Sequence, residues 1–194
     1  MPVMFVLHGG GGLPGVVRYQ TSMNDVADKY GFIFVYPAAI SSVYIDRLLY
    51  WNSGPLRKDI RVRNVDDVGF ISKVLTEVST IFLTDEDRVY STGLSNGAQM
   101  TFRLAAELSD RIAAIAPVSG DRTIGQFFAA PPQPVPVIYF HGILDTYLPF
   151  YGGLPAKSVS VFEAPVEDTM EGWIAQAGGD VNYAGISNTG YAVR

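Results

Sequence analysis

Five short apolar runs, rich in β-branched and aromatic residues, are spaced along the first three quarters of the chain. They are Val3–Leu7, Phe32–Tyr36, Arg88–Thr92, Ile112–Val118 and Val135–Phe140. Most are continuous rather than alternating, which is typical of parallel strands that are covered on both faces. The alanines of Ile112–Val118 are also compatible with a helix. A stiff, proline-rich stretch at 129–137 leads into the last run.

Helical patterns separate these runs. They cover Ser22–Tyr30, Val65–Phe82, Gly97–Leu108 and Val166–Ala177. The first can begin at a serine cap and end at Gly31, and the last can end at Gly178-Gly179. Strands that alternate with helices predict an open α/β fold, a doubly wound and mostly parallel sheet. We therefore expect residues 1–194 to form a single domain.

The charge and composition exclude several classes of partner. Nineteen acidic against 14 basic residues give a net charge of −5, which disfavours nucleic acid and anionic membranes. The basic stretch Arg57–Arg63 is interrupted by an aspartate and indicates a solvated loop. No cysteine is present, so disulfides and thiolate metal sites are excluded. No apolar run is long enough for a membrane span, and no signal peptide is visible.

The first chemical motif is FVLHGGGGLPG at 5–15, where a strand pattern runs into His8 and four glycines. Glycines at a strand end allow a tight bend and present bare N–H groups. Such a turn can supply one donor of an oxyanion hole. A flexible loop is an equally good interpretation of the motif taken alone, and a phosphate-binding loop is a weaker one because its lysine and spacing are missing.

The second motif is Gly93-Leu94-Ser95-Asn96-Gly97, between a predicted strand and a predicted helix. A serine on such a strained turn has an exposed hydroxyl, and the flanking glycines relieve crowding. The sequence therefore predicts Ser95 as a nucleophile, with the N–H of Asn96 as an oxyanion donor.

A candidate acid follows the last apolar run, which ends at His141-Gly142 and is followed by Asp145. In this kind of fold the acid comes after the serine, at the carboxyl end of a later strand. The alternative for Asp145 is a turn residue whose carboxylate caps backbone N–H groups.

A serine nucleophile needs a base, usually histidine, and the chain has two, His8 and His141. His8 precedes Ser95 and is expected to hold the glycine turn through a backbone hydrogen bond. His141 precedes Asp145, which is the wrong chain order for a base in this fold. Neither is predicted to act as the general base, and no histidine follows Asp145.

Taken together, the stretches LHGGGG, FIFVYP, WNSG, VDDVGFISKVL, TGLSNGAQM, SDRIAAIAPVSG and VIYFHGILDTYLPF resemble the polyhydroxybutyrate depolymerase-like esterases. These secreted α/β-hydrolases include feruloyl and acetylxylan esterases. The resemblance implies Ser95 as nucleophile, Asp145 as triad acid, and the N–H groups of Gly10 and Asn96 as oxyanion donors. Trp51 and Asn52 match a Trp-Asn pair of the family, for which packing is an equally good explanation.

Two departures from the family pattern affect these expectations. The family's catalytic histidine, in a Gly-His near the C-terminus, has no counterpart here, and strands that usually precede the HGGG-like strand are absent. We expect a hydrolase domain that is partial at both ends, with a sheet that is incomplete at its C-terminal edge and with an extracellular location. A naturally shortened chain that has lost its base is the alternative.

The expected function is a serine carboxylic-ester hydrolase that forms an acyl-enzyme on polyhydroxyalkanoate or on feruloyl or acetyl xylan esters. The alternative is a non-catalytic protein on a hydrolase scaffold that binds an ester or another ligand; a peptidase of the same fold is less favoured. Without a triad histidine, we expect the chain itself to be weakly active or inactive. No metal or cofactor is implied. The aromatic residues near the candidate site favour a phenolic acyl group such as ferulate; they are Trp51, Tyr147, Phe150 and Tyr151.

Overall fold

A computed structural model describes residues 1–41, 48–54, 65–120, 131–154, 164–176, 183–187 and 190–193. In chain order the strands are β1 (Val3–Leu7), β2 (Ile33–Val35), β3 (Ile40–Ser41), β4 (Leu49–Tyr50), β5 (Val89–Leu94), β6 (Ala114–Val118), β7 (Tyr183–Ser187) and β8 (Gly190–Val193). The helices are α1 (Pro14–Thr21), α2 (Met23–Tyr30), α3 (Asp67–Ile81), α4 (Asn96–Glu107) and α5 (Val166–Gln176).

The central sheet has the strand order β2-β1-β5-β6, and every neighbouring pair is parallel. The predicted parallel α/β sheet is thus confirmed, and the ambiguous run at 112–118 forms a strand. Because all four strands point the same way, their carboxyl ends lie along one edge. Residues that follow Leu7, Leu94 and Val118 therefore meet at that edge.

The predicted strand Val135–Phe140 lies beside β6 without forming a regular ladder. Ile115 pairs with Val137 and Val118 pairs with Phe140, both in parallel. The backbone N–H of Phe140 donates to the carbonyl of Pro117 over 3.1 Å. Pro117 itself has no N–H to donate in return, so the ladder is interrupted between the two bridges.

One face of the sheet carries the main core. Val3, Phe5 and Leu7 alternate with residues of the opposite face and join buried side chains of three helices. The helix residues of this cluster include Ile71 and Leu75 of α3, Met100, Phe102 and Leu104 of α4, and Met170 and Trp173 of α5. Helices α1 and α2 contact β1 and β2, and the buried Val6 and Val17 lie outside that cluster.

The N-cap of the second helix differs from the prediction. Ser22 does occupy the N-cap position of α2, but its φ is 49° and its side chain makes no capping hydrogen bond. The serine is also the C-cap of α1, a helix that was not predicted. The left-handed backbone at Ser22 therefore joins two helices. The predicted helix start at Ser22 and helix end at Gly31 are confirmed, but the serine side chain does not cap the helix.

The strands near the end of the chain are separate from the central sheet. β7 and β8 pair antiparallel in a two-stranded sheet. The predicted helix stop at Gly178-Gly179 and the basic stretch Arg57–Arg63 lie outside the described residues. In the described ranges, no helix combines the length and the apolarity needed to cross a bilayer.

Phe102 tests the importance of the contact between α4 and α5. Its fully buried ring lies 5.4 Å from the ring of Trp173 and 5.9 Å from that of Tyr139. We expect Phe102→Ala to lower the free energy of unfolding by about 3–5 kcal/mol, because it leaves a cavity. The matched control is Phe70→Ala on α3, where the ring is 42% exposed, with an expected loss of less than about 1 kcal/mol. Equal losses in urea unfolding would contradict this assignment of the core.

Candidate active site

Ser95 lies on a strained turn between β5 and α4. Its φ is 54° and its ψ is −119°, a backbone conformation that costs a non-glycine residue on the order of 1–3 kcal/mol. The Ser95 N–H donates to the Val118 carbonyl over 3.0 Å, and the Ser95 carbonyl accepts from the Gln99 N–H over 3.0 Å. The predicted strand–turn–helix setting of Ser95 is therefore present in the structure.

Glycines make this turn possible because backbone atoms pass very close to them. A Cβ added to Gly93 would lie 2.5 Å from the carbonyl carbon of Gly97. A Cβ on Gly97 would lie 2.6 Å from the His8 carbonyl oxygen, and one on Gly120 would overlap the Ser95 carbonyl. Each side chain would collide with backbone, so these positions accept only glycine without a shift of the turn.

The glycine run after β1 lies against the serine turn. A Cβ on Gly9 would be 3.7 Å from the Cβ of Ser95. The carbonyl of Gly9 accepts hydrogen bonds from the His8 Nδ1 and from the Gly12 N–H, each over 2.9 Å. Because a trans peptide is planar, its N–H points opposite to its carbonyl. These two bonds therefore fix the direction of the Gly10 N–H, which belongs to the same peptide group.

His8 has a defined tautomer. Its Nε2 accepts the backbone N–H of Ala39 over 3.1 Å, so in the neutral ring the proton lies on Nδ1, which donates to Gly9. Burial lowers the pKa of His8, although the bond to the Gly9 carbonyl opposes this effect. Both ring nitrogens thus bind backbone groups, as expected for a residue that holds the glycine turn.

Asn96 directs its side chain away from the turn and into the core. Its Oδ1 accepts the Trp51 N–H over 2.8 Å, while its Nδ2 donates to the Trp51 carbonyl over 3.2 Å and to the Ser53 Oγ over 2.9 Å. Its backbone N–H is at the start of α4, where N–H groups have no partner within the helix. The side chain of Asn96 is therefore structural. Its backbone N–H points out of the N-terminal end of α4, where it makes no hydrogen bond within the helix.

The carboxylate of Asp145 caps a turn and also approaches a histidine. Its Oδ1 accepts the N–H groups of Tyr147 over 2.8 Å and of Leu148 over 3.0 Å. Its Oδ2 lies 3.8 Å from the Nε2 of His141. The Oδ1 of Asp145 therefore caps the turn, as in the alternative interpretation of this residue. The Oδ2 makes no such bond and is placed to orient an imidazole.

His141 belongs to a buried chain of hydrogen bonds that leads back to the serine turn. Its Nε2 lies 2.7 Å from the Leu148 carbonyl, and its Nδ1 lies 2.7 Å from the Tyr139 hydroxyl. That hydroxyl also accepts the Gly120 N–H over 3.3 Å. Since a carbonyl can only accept, Nε2 carries the proton in the neutral ring, and Nδ1 accepts from Tyr139. Burial lowers the pKa of His141, opposed by its contacts with Leu148 and Asp145.

The segment 51–53 is a part of the site that the sequence did not assign. The Asn52 N–H donates to the Oδ2 of Asp67 over 2.6 Å, and Arg103 donates to the Asn52 carbonyl over 2.5 Å. Burial raises the pKa of Asp67, opposed by its bond to Asn52 and by the charge of Arg103. The polar residues of the WNSG and VDD stretches were the only sequence signal for this part of the site. They could not be joined from the sequence, because Asn52, Asp67 and Arg103 lie far apart in the chain.

The aromatic residues expected near the site divide into two groups. Trp51 and Phe150 are buried, whereas Tyr147 and Tyr151 are exposed. The rings of Trp51 and Phe150 pack in the core, so of the four residues only Tyr147 and Tyr151 are accessible to a phenolic acyl group. Among the residues that the structure describes, no three His, Asp or Glu side chains form a group that could hold a metal ion.

Gly97 tests the close approach of the two turns. We expect Gly97→Ala to destabilise the protein by about 1–3 kcal/mol, because the new methyl group would press on the Leu7 and His8 carbonyls. Gly172→Ala in α5 is the matched control: nothing lies within 4 Å of its added Cβ, and a helical Gly→Ala change there should stabilise by about 0.5–1 kcal/mol. Thermal unfolding of both variants measures the difference, and a shift of the same sign would contradict it.

The buried neutral state of His141 predicts a loss of stability in mild acid. The unfolded chain titrates near 6.5, whereas the folded pKa is lower, so the unfolded state binds more protons below that pH. The free energy of unfolding should fall as the pH decreases from about 7.5 to about 5.5. His141→Gln, which keeps a donor for the Leu148 carbonyl, should fall less over the same range in urea titrations. An identical slope for both proteins would show that the histidine contributes nothing.

A protein-family model described as esterase PHB depolymerase matches residues 1–130. NocK of Nocardia uniformis subsp. tsuyamanensis, described as a putative esterase, is 30% identical over 171 residues, which are 87% of this chain and 48% of NocK. The bifunctional acetylxylan esterase/xylanase XynS20E of Neocallimastix patriciarum is 27% identical over 76% of this chain and 20% of its own length. Feruloyl esterase B of Piromyces equi is 32% identical over 54% of this chain and 19% of its own length. The chain thus spans about half of the length of NocK and a smaller share of the other two relatives.

Solved structures support the fold. SOBER1 of Arabidopsis thaliana superimposes with a TM-score of 0.59 at 12% identity, over 91% of this chain and 82% of that one. Esterase PE8 gives a TM-score of 0.58 at 17% identity, over 91% and 76% of the two chains. These similarities, with the parallel sheet, show the α/β-hydrolase fold. Because the family model covers well over half of its residues, the chain belongs to the esterase PHB depolymerase family.

Proposed function

We propose that this chain is the core of a serine carboxylic-ester hydrolase, with Ser95 as the nucleophile. The observation that carries the proposal is the strained backbone of Ser95, packed against a glycine turn whose Gly10 N–H direction is fixed. Strain of this kind persists only where the surrounding structure enforces it, and it concentrates at functional sites. The esterase names of the relatives point to the same chemistry.

In the proposed reaction the Ser95 Oγ attacks the carbonyl carbon of the ester and passes its proton to a base. The carbonyl oxygen becomes an oxyanion, which the N–H groups of Gly10 and Asn96 stabilise. Collapse of this intermediate breaks the bond to the leaving alcohol, which takes up a proton, and leaves an acyl-enzyme that water hydrolyses. Through its Oδ2, Asp145 would orient the imidazolium of such a base, a histidine that residues 1–194 do not contain.

The base of this mechanism is not one of the two histidines in the sequence. Both ring nitrogens of His8 bind the backbone, and both ring nitrogens of His141 bind Tyr139 and Leu148. Loss of a triad member leaves only the residual catalysis that the oxyanion hole and substrate binding provide. We therefore expect weak or no turnover from residues 1–194 alone.

The proposed substrates are polyhydroxyalkanoate or plant cell-wall esters with feruloyl or acetyl groups. Exposed apolar side chains adjoin the reacting residues in the chain: Leu94 precedes Ser95, and Leu144 and Tyr147 flank Asp145. Such a rim suits a polymer with apolar or aromatic acyl groups better than a small charged substrate. Plant cell-wall esters lie outside the cells that degrade them, and acetylxylan and feruloyl esterases are among the relatives, so we propose an extracellular location for the single domain.

A non-catalytic ligand-binding role is the second candidate. The commitment of both histidines to structural hydrogen bonds favours it. The strained turn at Ser95 argues against it, because a binding protein gains nothing from a high-energy backbone at this position.

Acylation of Ser95 in the presence of imidazole tests the proposal. Free imidazole can take the serine proton in place of the missing base. We expect p-nitrophenyl acetate to acetylate Ser95 slowly, and on the order of tenfold faster with imidazole, as followed by intact mass and peptide mapping. Ser95→Ala should show no acetylation at this site, while the control Ser79→Ala on α3 should behave like the wild type.

Two results would contradict parts of this proposal. Equal acetylation of the wild type and of Ser95→Ala would remove the nucleophile assignment and leave the binding role as the better one. Fast turnover without imidazole that depends on Ser95 would retain the nucleophile but overturn the expectation of weak activity, since a base would then be present in the chain.

A further inference from the structure

The side chain of Trp51 links the two turns that carry the proposed oxyanion donors. Its indole Nε1–H donates to the carbonyl of His8 over 3.0 Å, at the end of β1. Its ring lies 5.1 Å from the imidazole of His8. The residue is fully buried, so it cannot touch a substrate and can act only through its neighbours.

The backbone of the same residue holds the serine turn. The N–H and the carbonyl of Trp51 both bind the side-chain amide of Asn96, over 2.8 and 3.2 Å. This two-point contact fixes Asn96 and hence the first peptide groups of α4. Trp51 thus binds the end of β1 with its indole and the start of α4 with its backbone.

The hydrogen bond to His8 acts on the glycine turn at a critical place. The His8 carbonyl belongs to the peptide group that immediately precedes the Gly9–Gly10 peptide. The latter is held by the His8 ring and the Gly12 N–H. Two consecutive peptide groups are therefore fixed from the core, which restricts the φ and ψ of the Gly9 that joins them. The planarity of the second group then sets the direction of the Gly10 N–H. Without the hydrogen bond from the Trp51 indole, only the Gly9–Gly10 peptide group would keep these hydrogen bonds.

We propose that Trp51 is a positioning residue that sets the separation and the direction of the two oxyanion donors, Gly10 N–H and Asn96 N–H. The inference deepens the proposed function and rests on it. Preorganised donors stabilise an oxyanion because they need no rearrangement as charge develops. Trp51 supplies this preorganisation from the core, while its own side chain stays out of the reaction.

Trp51→Phe tests the proposal, and the chain offers a matched control. It contains two tryptophans, and both are buried with an indole N–H that donates to a backbone carbonyl. Trp173 donates to Val135 over 3.2 Å, in the core beneath the sheet. Trp173→Phe therefore makes the same chemical change away from the two turns. Both variants should lower the melting temperature.

Only Trp51→Phe should alter the site. Two readouts are used: the 15N–1H chemical shifts of the Gly10 and Asn96 amides, and the rate of Ser95 acetylation by p-nitrophenyl acetate in imidazole. Removal of one oxyanion donor lowers kcat by about 10²–10³, so a displaced donor should lower the acetylation rate on the order of tenfold. The amides should shift in Trp51→Phe and stay in place in Trp173→Phe, whose rate should remain within about twofold of the wild type.

A second variant covers the case in which Trp51→Phe does not fold. Benzothienylalanine has the shape of tryptophan with sulfur in place of the N–H. Incorporated in the Trp173→Phe background, it changes Trp51 alone and removes only the hydrogen bond to His8. The same two readouts apply, with the same expected shifts and rate loss.

The proposal is overturned if the loss of the Trp51 N–H leaves the amide shifts and the acetylation rate at the level of Trp173→Phe. A different result would identify failure of the proposed function. If the wild type shows no acetylation at Ser95, the nucleophile assignment fails, while the amide shifts of Gly10 and Asn96 still decide whether Trp51 positions them.

Discussion

The close contact between the end of β1 and the start of α4 is the constraint on which the candidate site depends. Leu7 and Gly93 are partners in neighbouring parallel strands, and such strands lie only about 4.8 Å apart. The chain must leave β5, reverse at Ser95 and enter α4 without clearing more space. It does so because Gly97 rests directly on the carbonyls of Leu7 and His8. The tight reversal at Ser95 and the requirement for glycine at position 97 follow from this single contact.

Such close packing buries polar backbone groups, and each of them needs a partner. Side chains supply several of these partners: His8 binds Gly9 and Ala39, and Asn96 binds Trp51. A buried network in which every member is satisfied favours one arrangement, because any displacement leaves a donor or acceptor unpaired. The polar side chains around the turns therefore fix the geometry of the candidate site, and the proposed chemistry uses backbone N–H groups and the hydroxyl of Ser95 instead.

The parts of the fold that could be predicted are those with a local signal. Continuous apolar runs gave β1 and β5, and helical periodicity gave α3, α4 and α5 within one or two residues of their ends. Helix α1 was missed because Pro14, Gly15 and two valines are weak helix formers; Pro14 is tolerated there only because it occupies the first turn. The irregular strand beside β6 reflects Pro117, whose effect depends on which neighbouring strand it faces.

The candidate site divides in the same way into predictable and unpredictable parts. Ser95 and the glycine turn have short, contiguous motifs, whereas the hydrogen bonds that define the roles of Trp51 and Asn96 join residues 43 and 45 positions apart.

The two histidines show why a structural role and a catalytic role exclude each other here. A general base works best with a pKa near the working pH and with a ring nitrogen free to take a proton. Burial lowers the pKa of both His8 and His141, and both nitrogens of each ring are bound within the core. Protonation of His8 would place a second donor opposite the Ala39 N–H and break that bond, whereas protonation of His141 would require the Tyr139 hydroxyl to turn and accept. The neutral rings of His8 and His141 therefore hold the glycine turn and the loop of Asp145, and neither ring has a nitrogen free to take a proton.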